Sequence, residues 1–411
     1  MTNPLYDPYA VLHAVYSGGT YLKQALTQTP IEECNRARTA KICYGVLEND
    51  IYLDFCIRAF APKSPKLPVR ILLKIALYML LFMQKPRYMV TDNAVSLVKK
   101  LGKGGAAGFI NAFLRAFDAE KLSLPKEREA YLSVRYSYPR FAVRRLLAAY
   151  GDEAEAIMQP QPARTFVRFA PGMAQKYGAE AAEPTPFAGV YAFSSFRRDA
   201  GYDAGEYTFQ SVGSVAICGV VSPCDTLLDA CAAPGGKSVL LSEKCAQVTA
   251  FELHPHRAEL IQSYCRRMHR ENVHIVCRDS SIYDEKYEGA FSAVLCDVPC
   301  SGFGVAGENP DIKLLRKEES LAELSAVQLS ILRTCARYVA PGGDLYYSTC
   351  SVFAEENDAV VEKFLSEGAP FAVQEETSPL PHKNTRCGMQ FLPHISMGAG
   401  FYIAHLRKVS S

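Results

Sequence analysis

Two cysteines in the second half of the chain have the residue type and setting of nucleophiles. Cys300 lies in DVPCSGFG and Cys350 in STCS, each on a loop directly after an apolar segment with strand character. A cysteine attacks as its thiolate, and most loop cysteines are chemically inert. Here Asp297 accompanies the pair. Two cysteines and a carboxylate at one sheet edge favour a catalytic role over a structural one.

A glycine turn precedes them in LLDACAAPGGKSVLL, residues 227–241. Its Gly-Lys-Ser ending is typical of a phosphate-binding loop, but Cys231 stands where that loop requires its first glycine. We therefore exclude a triphosphate site. The segment still predicts the first strand, turn and helix of a Rossmann-like sheet, in which Gly235 and Gly236 let the backbone approach a ligand closely.

Further strand patterns end at Glu252, near Asp279, at Asp297 and at Cys350, with helix patterns between them. Successive strand–helix units build a parallel sheet, and open parallel sheets bind ligands at the carboxyl ends of their strands. Glu252 follows the glycine turn by roughly 20 residues, the position of an acceptor for ribose hydroxyls. That spacing does not distinguish a dinucleotide from S-adenosylmethionine. Asp279 could reach an adenine amino group or be an exposed loop residue.

The first part of the chain has a different pattern, with apolar residues at helical spacing and no strand signal. Helices are predicted at residues 10–25, 34–48, 52–60, 69–83, 89–101, 108–117 and 139–150. Short segments interrupted by proline follow up to residue 200. We predict an all-α domain at 1–125, a small connecting α+β subdomain at 126–200 and an α/β Rossmann-like domain at 201–411.

The charge distribution is uneven along the chain. The net charge is +2, but residues 1–200 carry about +10 and the remainder about −8. A basic front half favours an anionic partner, most often nucleic acid, although a solvated basic surface without a partner is the alternative.

The composition of the chain limits which classes of protein it can belong to. A chain of 411 residues with 49% hydrophobic and 21% charged residues predicts two or three globular domains. The most apolar window, residues 71–84, is too short to span a bilayer, and no signal-peptide pattern opens the sequence. The fourteen cysteines include no Cys-x-x-Cys pair. We therefore expect a cytoplasmic protein with free cysteines, no membrane segment and no metal site.

Four segments resemble the ordered motifs of the RNA cytosine-5 methyltransferases: DACAAPGGKS, CDVPCSGFG, NPDIK and YSTCSVFAEEN. YGVLEND and GFINAFLRAF resemble the NusB-like RNA-binding domain that precedes the catalytic domain in the RsmB (Sun, Fmu) branch, which methylates 16S ribosomal RNA. Residues 388–408 resemble the closing strand pair of the family. The resemblance covers nearly the whole chain and implies a NusB-like domain, a connecting subdomain and an S-adenosylmethionine-dependent methyltransferase domain.

The resemblance also implies roles for the residues that match. Because C5 of cytosine is a poor nucleophile, a thiolate first adds to C6, and the family assigns this attack to Cys350. Cys300 is implicated in release of the product, Asp297 in hydrogen bonding to the cytosine edge and Lys237 in a contact near the cofactor or base. The residues expected to bind the cofactor are Cys231, Ala232, Ala233, Pro234, Gly235, Gly236, Lys237, Glu252, Arg257, Asp279 and Asp297.

The sequence departs from the family pattern at four positions. Ser211 stands where an Asp is common, Gly307 and Glu308 stand where arginines are expected, and Ala170 replaces an Asn. Loss of basic residues puts RNA affinity and target choice in doubt. Alternatives to a 16S RNA methyltransferase are the same chemistry on another RNA, such as tRNA, and a non-catalytic RNA-binding assembly factor. A monomer is favoured.

Overall fold

The computed structural model describes residues 3–409 of the chain, which forms two compact units. One unit comprises the chain up to Pro160 together with Ala306–Arg316, and the other comprises Gln161–Val305 and the chain from Lys317 onward. No helix within residues 3–409 is long and apolar enough to cross a membrane.

The first unit is helical and packs around one apolar core. Its residues Leu12, Val46, Leu72 and Leu97 are fully buried. The helices are Tyr6–Gly18, Leu22–Gln28, Glu33–Glu48, Asp50–Phe60, Leu67–Leu81, Arg87–Lys100, Ala107–Ala116, Arg128–Tyr136, Arg140–Tyr150, Ala154–Met158 and Ile312–Leu315. The predicted helix 10–25 is in fact two helices, because Gly19 adopts a left-handed conformation with φ of +65° and ends the first.

The inserted segment Ala306–Arg316, which contains NPDIK, is anchored within this helical unit. Asp311 Oδ2 accepts a hydrogen bond from the backbone N–H of Leu22 at 2.9 Å. Lys313 Nζ donates to the carbonyl oxygens of Glu48, at 2.9 Å, and Tyr136, at 3.1 Å. Two polar side chains of the segment thus satisfy backbone groups at helix ends.

The second unit begins with a small antiparallel sheet. Its strands are β1 Thr165–Phe169, β2 Glu183–Pro184, β3 Val190–Phe193 and β4 Tyr207–Phe209, and their order in the sheet is β2-β3-β1-β4. An aromatic cluster that includes Phe169, Tyr177, Phe196 and Tyr207 packs on it. Residues 126–160 lie in the helical unit and this sheet lies in the second unit. The proposed domain limits at 125 and 200 stay a prediction.

A nine-stranded mixed sheet follows, and it confirms the predicted Rossmann-like fold. Its strands are β5 Thr226–Asp229, β6 Gln247–Glu252, β7 Val273–Cys277, β8 Phe291–Asp297, β9 Val339–Thr349, β10 Phe371–Gln374, β11 Lys383–Asn384, β12 Met389–Phe391 and β13 Phe401–Lys408. Their order in the sheet is β11-β12-β13-β9-β8-β5-β6-β7, with β10 also paired to β13. Strands β7, β6, β5, β8 and β9 run parallel, and β13 is antiparallel to β9.

Helices in this unit connect the strands and cover the sheet. They are Ala200–Asp203, Val212–Val220, Gly236–Leu241, Pro255–Arg267, Glu319–Tyr338 and Asp358–Ser366. The central strands are buried on both faces: Leu227, Leu228, Val294 and Leu295 have no exposed surface. Such strands read as continuous apolar runs, which is why their polar last residues were conspicuous in the sequence.

Candidate active site

Polar side chains gather at the carboxyl ends of the parallel strands. Asp229 ends β5, Glu252 ends β6 and Asp297 ends β8. Asp297 is paired in register with Ser348 of β9, two residues before Cys350. The predicted edge of the sheet therefore does bring the strand-end residues together.

The helix Pro255–Arg267 packs closely against the glycine turn after β5. Gly235 has φ of +104°, and a Cβ there would lie 3.1 Å from the Cα of Ile261. Gln210 Nε2 donates to the carbonyl of Gly236 at 2.9 Å, and Arg168 Nε donates to Gln210 Oε1 at 2.8 Å. Only glycine fits the backbone at Gly235, and side chains outside the turn hold it in place.

An ion pair joins this turn to the end of β8. Lys237 Nζ lies 2.6 Å from Asp297 Oδ2, and the hydroxyl of Ser348 donates to Asp297 Oδ1 at 2.7 Å. Burial acts to lower the pKa of Lys237, but the Asp297 carboxylate outweighs it and raises that pKa above its ordinary value. Lys237 is thus a cation at neutral pH, and the Asp297 carboxyl group is held between Lys237 and Ser348.

The two predicted cysteines are in contact. Cys300 Sγ and Cys350 Sγ lie 2.9 Å apart, and the backbone N–H of Cys350 donates to Cys300 Sγ at 3.2 Å. The hydrogen bond to Cys350, followed by burial, raises the pKa of the Cys300 thiol well above its ordinary value. A thiol with a raised pKa keeps its proton, so Cys300 can donate to the Cys350 sulfur. Cys300 is buried and Cys350 is partly exposed, so Cys350 is the more accessible residue of the two.

Close backbone contact fixes the loops around the sulfurs. The N–H of Gly304 donates to the carbonyl of Cys350 at 3.0 Å, and the N–H of Gly400 donates to the carbonyl of Gly304 at 2.9 Å. A Cβ on Gly304 would lie 2.0 Å from the Gly400 oxygen. The loops after β8 and β9 and the loop before β13 thus meet through backbone atoms.

Asp229 is a site residue that the sequence analysis did not single out. It is 1% exposed, and Ser238 donates to its Oδ2 at 2.6 Å. Its Oδ1 is buried and, within the described residues, has no hydrogen-bond partner. Burial raises the pKa of Asp229 to about 6. An acidic residue ending the first strand was a signal of the same kind as Glu252.

The other predicted cofactor residues surround the turn. Glu252 is 4% exposed, and its Oε1 accepts from the N–H of His254 at 3.0 Å and lies 3.4 Å from the Arg257 guanidinium. Arg257 also donates to the carbonyl of Ala233 at 3.3 Å. Asp279 lies two residues beyond β7, and its Oδ1 accepts hydrogen bonds from Ser281.

The remaining predicted residues form the turn itself. The N–H of Ala232 donates to the carbonyl of Phe251 at 2.9 Å, and the N–H of Gly235 donates to the carbonyl of Ala232 at 2.8 Å. Pro234 is exposed. Burial raises the pKa of Cys231 well above its ordinary value, so this third cysteine is a neutral thiol. The turn is therefore tied to the end of β6, next to Glu252.

Two of the departures from the family pattern have a structural reading. Ser211 is the N-cap of Val212–Val220, where its hydroxyl accepts from the N–H of Ser214 at 3.2 Å. Aspartate is an equally good N-cap, so this exchange preserves the local structure. Gly307 is exposed, and a Cβ there would meet no atom within 4 Å, so a larger side chain would fit.

All fourteen cysteines are free thiols. Within residues 3–409 no group of three or more His, Cys, Asp or Glu side chains is arranged to hold a metal ion.

A parallel sheet with a glycine turn after its first strand and acidic strand ends is the Rossmann-like arrangement that dinucleotide-binding proteins and S-adenosylmethionine-dependent methyltransferases share. Comparison with known proteins gives the family. A model described as 16S rRNA methyltransferase RsmB/F matches residues 220–407, and one described as NusB family matches residues 10–119. "Probable ribosomal RNA small subunit methyltransferase B" of Bacillus subtilis (strain 168) is 31% identical over 94% of this chain and 94% of that protein. The chain therefore belongs to the RsmB/F family of 16S rRNA methyltransferases.

Other relatives agree with this assignment. Ribosomal RNA small subunit methyltransferase B of Xylella fastidiosa (strain 9a5c) is 30% identical over 97% of this chain and 98% of that protein. The crystal structure of PH0851 covers 99% of this chain and 100% of its own, with a TM-score of 0.82 and 22% identity, and so shares the fold.

S-adenosylmethionine is the cofactor of this methyltransferase, and the residues at the strand ends fit it. The cofactor carries an ammonium group, two ribose hydroxyls and an adenine. The unpartnered Oδ1 of Asp229 is a buried acceptor, which needs a donor such as an ammonium group. Glu252 has the strand-end position of a ribose acceptor.

Proposed function

We propose that this protein methylates C5 of a cytidine in 16S ribosomal RNA through a covalent bond between Cys350 and C6 of the base. The observation that carries the proposal is the contact of Cys300 and Cys350, with sulfurs 2.9 Å apart, on the loops that follow β8 and β9. A methyltransferase that acts on an already nucleophilic atom needs no nucleophile of its own.

Cys350 is the attacking residue in this proposal. Its sulfur is the accessible one of the two and accepts the hydrogen bond of the Cys300 thiol, which stabilises negative charge on it. Addition of the Cys350 thiolate to C6 moves electron density to C5, which then becomes nucleophilic. S-adenosylmethionine supplies the methyl group when it is bound.

Asp297 and Lys237 orient the base. Asp297 keeps free lone pairs on both oxygens after bonding Lys237 and Ser348, so it can accept a hydrogen bond from the cytosine amino group. Lys237 stays charged and can stabilise the negative charge that develops on the ring during the addition. The base must be unstacked or single-stranded to present its face.

Cys300 assists the release of product. After methylation, C5 carries both a hydrogen and the methyl group. Loss of the C5 proton to a water molecule restores the C5–C6 double bond, breaks the C6–S bond and returns the electron pair to Cys350 as a thiolate. The Cys300 thiol stabilises that departing thiolate by donating a hydrogen bond to it. The Cys300 side chain lies beside that sulfur throughout.

The helical unit supplies contacts to RNA phosphates. Lys85, Lys99, Lys100 and Lys103 of this unit are exposed, and lysines of this kind add affinity without reading the base sequence.

The test is methylation of unmodified 16S RNA with labelled S-adenosylmethionine, followed by nucleoside analysis and a denaturing gel for protein–RNA adducts. The wild type should give 5-methylcytidine. Cys350→Ala should lose at least roughly a thousandfold in rate, and Cys300→Ala should accumulate a covalent adduct. Cys34→Ala, which changes an exposed cysteine of the helical unit, should behave as wild type.

Full activity of Cys350→Ala, or methylation at another atom, contradicts the proposal. Activity on tRNA alone would keep the chemistry and change the substrate. RNA binding without any methylation would favour an assembly factor.

A further inference from the structure

The Glu356 side chain joins the two loops that carry the cysteines. Glu356 is fully buried. Its Oε1 accepts from the backbone N–H of Ser301 at 2.7 Å, and its Oε2 accepts from the hydroxyls of Ser301 at 2.6 Å and Ser351 at 2.5 Å. Ser301 follows Cys300 and Ser351 follows Cys350 in the chain. One carboxylate is thus bonded to the residue after each cysteine.

Other groups hold this carboxylate in place. Gln328, on the helix Glu319–Tyr338, donates from Nε2 to Glu356 Oε1 at 3.0 Å and to the carbonyl of Pro299 at 3.0 Å. The Tyr347 hydroxyl donates to the backbone carbonyl of Glu356 at 2.5 Å. A buried carboxylate is costly unless several donors face it, and here they do, so its position is well determined.

Asn357, the residue after Glu356, bonds to the Cys350 loop on both sides of the cysteine. The Thr349 hydroxyl donates to Asn357 Oδ1 at 2.6 Å, and Asn357 Nδ2 donates to the carbonyl of Ser351 at 3.2 Å. Both neighbours of Cys350 in the chain are therefore fixed by buried side chains. The Cys300 loop is joined to them by the Gly304 N–H bond to the Cys350 carbonyl at 3.0 Å and by the contact of the Ser301 and Ser351 hydroxyls at 3.3 Å. Glu356 adds a carboxylate that accepts from both of those hydroxyls.

We propose that Glu356 is a positioning residue that holds the Cys300 thiol within hydrogen-bond distance of Cys350. Its importance for the reaction rests on the proposed two-cysteine chemistry. The positioning itself involves no RNA and no cofactor, so it can be measured separately.

The measurement is the rate at which diamide oxidises the pair in the full-length protein. Each thiol gives up its hydrogen, one S–S bond forms between Cys300 and Cys350, and the N=N bond of diamide takes up both hydrogens. The rate depends on how often the two sulfurs are juxtaposed. Samples are quenched by alkylation and the disulfides are mapped by peptide mass spectrometry.

The same sample contains an internal reference. Cys224 Sγ and Cys245 Sγ lie 3.5 Å apart, just before the amino ends of β5 and β6. In Glu356→Ala we expect the Cys300–Cys350 rate, divided by the Cys224–Cys245 rate, to fall by roughly tenfold or more. Ser351→Ala, which removes the hydroxyl that donates to Glu356 from the Cys350 loop, should also lower this ratio.

Two further variants separate positioning from general stability. Glu356→Gln should restore much of the ratio, because its amide oxygen can accept from the Ser301 N–H while its amino group faces hydroxyls that can also accept. Asp358→Ala removes a neighbouring buried carboxylate that accepts from Tyr402 at 2.7 Å and Thr385 at 2.8 Å. It should lower the melting temperature and leave the ratio unchanged.

A wild-type ratio in both Glu356→Ala and Ser351→Ala overturns the inference, and the Ser351→Ala result decides alone if Glu356→Ala does not fold. With RNA, Glu356→Ala should lower kcat and leave KM for RNA unchanged. If the wild type methylates no cytosine but the ratio falls in the variants, the proposed function fails and the positioning role stands. If the wild type methylates cytosine but the ratio is the same in the variants, the proposed function stands and the positioning role fails.

Discussion

Lys237 of the glycine turn and Asp297 at the end of β8 form an ion pair, with Nζ and Oδ2 2.6 Å apart. The pair connects the turn predicted to bind the cofactor with the strand end predicted to bind the base. Two sites that the sequence shows 60 residues apart are therefore electrostatically coupled.

Replacing Lys237 tests this coupling. Lys237→Met should lower kcat by roughly ten- to a thousandfold, because it removes the cation beside the base and leaves Asp297 with only its hydrogen bond from Ser348. Since Asp297 raises the pKa of Lys237, the wild-type rate should show no inflection from this group between about pH 6 and pH 9. Lys244→Met is the control: Lys244 Nζ donates to the carbonyl of Cys218 at 2.6 Å, away from the strand ends. Equal losses in both variants would count against a specific role.

The buried carboxyl of Asp229 should make the stability of the cofactor-free protein depend on pH. Its folded-state pKa is raised to about 6, so the folded state holds the proton more tightly than the unfolded chain. Wild-type stability should therefore fall as the pH rises from about 4 through 6, by about 2 to 3 kcal/mol, and stay level above.

The stability of Asp229→Asn should lack this pH dependence, because an amide does not titrate and its oxygen can still accept a hydrogen bond from Ser238. In urea unfolding experiments its advantage over wild type should grow between about pH 4 and 6 and then be constant. A difference independent of pH would show that Asp229 is not protonated in that range. The same variant should gain less in melting temperature than wild type when S-adenosylmethionine is added.

Gly235 should tolerate no side chain. Gly235→Ala combines an unfavourable φ of +104° with a Cβ 3.1 Å from Ile261 Cα, and we expect a loss of about 2 to 4 kcal/mol in unfolding free energy. Gly289→Ala is the matched control, because Gly289 has φ of +60° and open space around its Cβ. It should cost only about 1 kcal/mol. Similar losses in the two variants would mean that the helix carrying Ile261 shifts to make room for the added Cβ.

The basic surface of the helical unit should be visible in the salt dependence of RNA binding. A triple change of Lys99, Lys100 and Lys103 to Ala should weaken binding and reduce the slope of log K against log salt by about 2. Lys121→Ala is the control, since Lys121 lies 3.7 Å from Asp118 and is already paired. An unchanged slope in the triple variant would place the phosphate contacts elsewhere.

The fold was predictable because its signals are local. Strand ends at Glu252 and Asp297 follow from short apolar runs, and the helical periodicity of the first residues is unambiguous even though Gly19 divided one helix. The pairing of Glu356 with Ser301 was not predictable, because it joins residues 55 positions apart through a turn whose geometry only the folded chain defines. The unpaired, buried Oδ1 of Asp229 was likewise not predictable, because a sequence pattern at the end of a strand does not show which side-chain atoms are buried.

The placement of Ala306–Arg316 also escaped prediction, although its NPDIK motif was recognised. The chain passes between the two units at three points, after Pro160, after Val305 and after Arg316. A protease cut at the first point would leave the units connected through the other two. A fragment starting at Gln161 would still carry Leu314, which packs against the apolar core of the helical unit, without the helices that cover it. Domain exchange between relatives would therefore have to move residues 306–316 together with the helical unit.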